Sequence, residues 1–185
     1  MLEIAIPGGQ EYWDEGNNRF VSLEKGVTLR LEHSLLSLSK WEAKWHIPFV
    51  DNKNLTFDQT LDYIRCMSVD SKVDPNAFMF LTLKDIQKIK DYIDDPMTAT
   101  TFSYFGTKKP REKIGNERIT SEILYYWMAA SQIPFSCEKW HLNRLITLVR
   151  VCSEKNDPKR QKVPPKELAQ WRRAENARRI AASKE

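Results

Sequence analysis

The chain has 185 residues, of which 41% are hydrophobic and 11% aromatic. That suits one compact domain with a real core and excludes a disordered chain. The net charge of +4 is unevenly spread: from Arg150 onward there are 11 Lys/Arg against 5 Asp/Glu, and in the remainder 18 against 20. A near-neutral body therefore carries a basic tail. No apolar run approaches the roughly 18–20 residues that span a bilayer, and the opening MLEIAIPGG lacks the basic n-region of a signal peptide.

The first thirty residues read as extended. LEIAI alternates and is β-branched, Pro7, Gly8 and Gly9 interrupt it, and EYWDEGNNRFVSL gives two short runs around Gly16, Asn17 and Asn18. In VTLRLEH, Val27, Leu29 and Leu31 alternate with Thr28, Arg30 and Glu32. These features predict an antiparallel element of two to four strands over residues 1–33.

From Ser34 the period becomes helical. Leu35, Leu38, Trp41 and Trp45 share a face, predicting a helix over 34–46 that ends before Pro48. Thr56 and Gln59 form a capping-box pattern that opens a second helix, with Leu61, Ile64 and Met67 or Cys66 inward. Thr82 and Asp85 open a third, with Ile86, Ile89 and Ile93 as its apolar stripe and Pro96 beyond its end. Residues 97–118 read as a loop with five basic residues in its second half. ITSEILYYWMAASQI predicts a helix capped near Thr120 or Ser121 and stopped by Pro134. Ser136 is then expected to cap a helix running to Cys152. After Asp157 and Pro158 comes KRQKVPP, and then an Ala/Arg/Glu-rich segment with helical propensity whose apolar stripe, Leu168, Trp171 and Ala174, is thin.

The predicted fold class is thus α+β, mainly α-helical. A small N-terminal antiparallel β element (1–33) precedes a helical body (34–155), the two forming one compact domain over 1–155. Residues 156–185 are a hinged basic tail, expected to be helical.

Chemistry-bearing residues are few. On a 136–152 helix, Cys137, His141, Leu145, Leu148 and Cys152 fall along one stripe, widened by Trp140, Ile146 and Val149. A zinc site needs four ligands, or three and a water. The chain has three His and three Cys, and His33, His46 and Cys66 lie in other elements. A Cys–His dyad would also need an orienting group and an oxyanion hole, and the sequence offers neither. The thiols are therefore read as small core hydrophobes beside a hydrogen-bonded histidine. Asp91, Asp94 and Asp95 read as the solvated face and end of their helix. No phosphate-loop, dinucleotide, HExxH or GxSxG pattern occurs. The chain is read as a non-enzyme without catalytic, cofactor-binding or metal-binding residues. Three scattered Cys fit a reducing cytosol rather than a disulfide framework. Six Trp exceed what this length needs; core filling is the favoured use, with an interaction surface as the other.

Two basic features remain: the loop GTKKPREKIGNER and the tail, where Lys159, Arg160, Trp171, Arg172, Arg173, Arg178 and Arg179 are the candidate partner-binding positions. They are read three ways: as solvated segments, as weak phosphate contacts to nucleic acid, or as a second contact to an acidic or amphipathic protein.

The stretches LRLEHSLLSLSKWEAKW, DYIRCM, PMTATTF and above all ITSEILYYWMAASQIPFSCEKWHLNRLITLVRVC, followed by the basic Ala/Arg-rich end, resemble a family of small proteins of siphophages and prophages of Gram-positive bacteria. The resemblance runs over nearly the whole chain. It implies a tail-morphogenesis component, a tail assembly chaperone or minor structural protein, with no catalytic residues to carry over. The implied partners are the tape measure protein and tail tube subunits, met in the bacterial host's cytoplasm during assembly or in the virion. The reading from a different class is a virion or DNA-handling accessory that uses the basic loop and tail on nucleic acid.

Overall fold

A computed structural model describes residues 1–16, 18–50, 52, 54–102 and 118–156, and in the tail 169–170, 172–174 and 176–177. The chain is α+β and mainly helical, with its strands gathered at the N-terminus. Among the described residues no helix is long and apolar enough to cross a membrane.

Four five-residue strands, β1 (Leu2–Ile6), β2 (Gln10–Asp14), β3 (Arg19–Leu23) and β4 (Val27–Leu31), form two antiparallel pairs, β1 with β4 and β2 with β3. Ile6 faces Val27 in one pair and Gln10 faces Leu23 in the other. These belong to a single register, so the two pairs are halves of one long ribbon interrupted at 7–9 and 24–26. The Gly9 N–H still donates to the Leu23 carbonyl across the gap, at 2.7 Å. A Cβ on Gly8 would lie 2.6 Å from the Gly26 nitrogen, so only glycine lets the two backbones approach there. Because side chains alternate, one ribbon face buries Ile4, Ile6, Val21, Leu23, Leu29 and Leu31. The opposite face keeps Glu11, Trp13, Phe20 and Ser22 exposed.

Helix α1 (Leu35–Trp45) is capped by Ser34 and ends on His46 in the left-handed region. Its inward residues Leu35, Leu38 and Trp41 are fully buried, while Trp45 is half-buried and uses its indole N–H on Asp62. Helix α2 (Phe57–Cys66) and helix α3 (Leu83–Asp94) both open on the expected capping boxes, at Thr56 and Thr82. Ile64, Met67 and Ile89 are buried as read; Tyr63, which the periodicity did not single out, is buried as well. Between the two helices a 3-10 turn, Pro75–Phe80, inserts Ala77 and Phe78 into the core.

Helix α4 (Ser121–Ala130) begins after Thr120, whose side chain makes no capping bond. The carboxylate of Glu42, buried on α1, takes the Ser121 N–H at 2.7 Å and the Phe49 N–H at 2.9 Å. The helix is therefore capped from another element.

The expected helix from Ser136 is not one helix. A 3-10 turn, Phe135–Lys139, follows Pro134; Trp140 is extended (φ −72, ψ 160); helix α5 starts at Leu142 and runs to Asn156. Ser136 lies inside the turn and caps nothing. The cause is a competing tertiary bond: the Leu142 N–H donates to the His33 carbonyl at 2.7 Å, and Ser34 and His141 pair as an isolated antiparallel bridge. A continuous helix would spend that N–H on Glu138 instead. Trp140, expected to widen the apolar face, is instead 38% exposed.

One hydrophobic cluster joins the ribbon, α1, α2, α3, α4 and the start of α5, from Ile4 to Leu145. The six Trp divide: Trp41 is buried, Trp45 and Trp127 half-buried, Trp13 and Trp140 exposed, and Trp171 lies outside the described residues.

Candidate functional site

Cys137 and His141 are both buried, but on separate elements, the 3-10 turn and the residue preceding α5. Leu145 is fully buried, and Leu148 and Cys152 are half-buried along α5. The predicted stripe therefore survives only from Leu145 onward. Among the described residues no group of three or more His, Cys, Asp or Glu is placed to hold a metal ion.

The fold does bring together two histidines that the sequence keeps far apart. His33, between β4 and α1, and His141 stack edge to face with ring centroids 5.2 Å apart. His33 Nδ1 shares a 2.5 Å hydrogen bond with the Tyr63 hydroxyl on α2. His141 Nε2 lies 3.0 Å from the Tyr92 carbonyl on α3. A carbonyl only accepts, so Nε2 carries the proton and Nδ1 of the neutral ring is a bare acceptor. That Nδ1 is buried without a hydrogen-bond partner. Burial, with the neighbouring His141 second, lowers the His33 pKa to about 3. Burial likewise drives the Tyr63 hydroxyl well above its ordinary value. Desolvation thus holds His33 and Tyr63 neutral.

Beside it opens a cleft of about 300 Å³ lined by Glu32, Tyr92, Met97, Trp140, His141 and Arg144. The Tyr92 hydroxyl donates to Glu32 at 2.7 Å, and its pKa is raised by burial and by that carboxylate. Arg144 lies over the Trp140 ring, 4.7 Å from its centroid. Asn143 donates to the Ile93 and Asp95 carbonyls and so ties the end of α3 to α5.

A second surface is the outward ribbon face. Trp13 and Phe20 sit directly opposite each other in the register, with ring centroids 4.7 Å apart in an edge contact. They are 41% and 72% exposed. Burying such rings gives large apolar contact areas at small conformational cost, which suits a protein-contact surface. By sequence EYWD and RFVSL are only two extended runs; it is the register across the turn that sets Trp13 beside Phe20.

Of the predicted partner-binding residues, Arg172 and Arg173 are helical and exposed. Lys159, Arg160, Trp171, Arg178 and Arg179 lie outside the described residues, as does the basic part of the loop at 103–117.

Comparison with protein-family models, with curated proteins and with solved structures found no match to this chain.

Proposed function

We propose that this protein is a non-enzymatic component of phage tail morphogenesis, a tail assembly chaperone that binds the tape measure protein and tail tube subunits in the host cytoplasm. The resemblance of the ITSEILYYWM and EKWHLNRL stretches suggests the process. The observation that carries the binding role is the exposed Trp13/Phe20 pair on the ribbon's outer face. Two rings held in register on a two-stranded ribbon suit the apolar stripe of a long partner helix, and that contact is not screened by salt.

The test is co-expression with the tape measure protein encoded in the same phage genome. The complex is expected to co-purify at moderate salt, and Trp13→Ser combined with Phe20→Ser is expected to abolish capture. Both positions face outward, so the doubly substituted protein should keep its melting temperature. No capture of the tape measure protein by the unsubstituted chain overturns the reading.

The second reading, a virion or DNA-handling accessory, draws on the exposed Arg172 and Arg173 of the basic tail. Phosphate contacts lose orders of magnitude in affinity between about 50 and 200 mM salt when six or more are made. Nucleic-acid binding is therefore expected to be weak and gone at physiological ionic strength. Tight binding there, lost on removing residues 157–185, supports the second reading instead.

A further inference from the structure

The His33/His141 cluster is a joint between four parts of the chain. His33 leads from β4 into α1, Tyr63 comes from α2, Tyr92 from α3, and His141 immediately precedes α5. The start of α5 is attached at this joint. Leu142 N–H bonds the His33 carbonyl, Ser34 bridges His141, and the first buried side chains of α5, Leu142 and Leu145, follow at once. We propose that the buried His33/His141 pair is an acid-sensitive latch that holds α5 against the body while the His33 ring is neutral and releases it when that ring takes up a proton.

The geometry gives a charged ring nowhere to go. A proton added to His141 goes to Nδ1, which is buried without a partner. A proton added to His33 charges a ring that is 3% exposed, 5.2 Å from a second imidazole. The groups around the pair offer little counter-charge. Tyr63 is a neutral phenol whose ionisation burial suppresses, and Phe49 and the Tyr92 ring are apolar neighbours. Glu32 is the nearby carboxylate lining the adjoining cleft, and it is already engaged by the Tyr92 hydroxyl and the Met1 amine. Glu42 acts on Tyr63 from α1 but is spent on two backbone N–H groups. Lys139 and Arg144, which border the cleft beside His141, add positive charge.

The direction follows by linkage. The folded pKa of His33, about 3, lies below the ordinary value of about 6.5, so the opened chain takes the proton first. The latch is closed above about pH 6.5. It weakens as pH falls, by up to tenfold in its closing equilibrium per unit, until the closed form also protonates near pH 3.

Amide hydrogen exchange on the full chain between pH 7.5 and 5, corrected for intrinsic exchange, reads the latch directly. Protection of α5 amides is expected to fall close to tenfold between pH 6 and 5, while β1 and β4 keep theirs. Imidazole NMR of the unsubstituted protein should find His33 neutral at pH 5. His33→Asn keeps an acceptor for the Tyr63 hydroxyl and should flatten the pH dependence. The latch is overturned if His33 titrates near 6.5 in the folded protein, if α5 and the ribbon lose protection in parallel, or if the slope persists in His33→Asn. Where that variant does not fold, the titration of His33 in the unsubstituted protein decides.

Discussion

Glu42 shows how much one side chain can be asked to do. Its two oxygens accept backbone N–H groups from Phe49 and from Ser121 at the start of α4, and the residue is 7% exposed. Hydrogen bonds to a charged group contribute more than neutral ones, and a donor left bare in the interior costs its desolvation. Glu42→Ala is expected to cost about 3 kcal/mol, read as a shift of the denaturant midpoint without a change in slope. Glu42→Gln should cost roughly half of that, because its amide oxygen still serves one N–H while its NH₂ meets the other. Equal loss in both variants would mean that packing, not acceptance, is what Glu42 provides. Gly8 is the backbone counterpart. With a Cβ 2.6 Å from Gly26 N and 2.7 Å from Glu24 O, Gly8→Ala must push the facing 7–9 and 24–26 segments apart. A loss of about 1–3 kcal/mol is expected, the usual range for forced overpacking. Cys137, 7% exposed and part of the core cluster, is a plain packing residue, and Cys137→Ala should cost roughly 1–2 kcal/mol and leave partner capture intact.

Among the elements, α2 and α4 form a natural contrast because both begin at a threonine. At Thr56 the hydroxyl takes the Gln59 N–H and the Gln59 side chain takes the Thr56 N–H, so the cap is closed locally. At Thr120 the side chain caps nothing and the work passes to Glu42. Thr56→Ala should therefore cost about 1 kcal/mol. Thr120→Ala, which loses only its hydrogen bond to the exposed Glu122, should stay within about 0.5 kcal/mol. Thermal melts of the two variants under one condition decide the matter, and a reversed order would show that α4 depends on its own threonine after all. The same contrast explains what sequence reading found. Capping boxes lie within four residues and were legible at Thr56 and Thr82; a cap supplied from α1 to α4 leaves no trace in the neighbourhood of Ser121.

For the molecule as a whole, the core cluster ends within α5, and α5 ends at Asn156. The described tail residues, Ala169, Gln170, 172–174, Asn176 and Ala177, are all exposed. Truncation after Asn156 is therefore expected to leave the melting temperature nearly unchanged while removing most of the basic excess. A large drop would place residues such as Leu168 or Trp171 in the core. Truncation should also leave tape measure capture in place if the ribbon's aromatic face is the main contact, and weaken it if the tail is.

What the sequence determined by itself was local: alternation over 2–31, the helical periods after Ser34, two capping boxes, and the α+β class that these add up to. Each of those signals is complete within one element, because strand pleat, helix pitch and cap geometry are set by residues only a few positions apart. The tertiary structure decided the rest. It split the expected 136–152 helix, because the His33 carbonyl competes for the Leu142 N–H that helix continuation needs. It set Trp13 opposite Phe20, seated Glu42 under α4, and brought His33 against His141 beneath Tyr63 and Tyr92. Those arrangements join residues that are distant in sequence, and a periodicity read along the chain holds no information about which distant partner will satisfy a buried N–H or desolvate an imidazole.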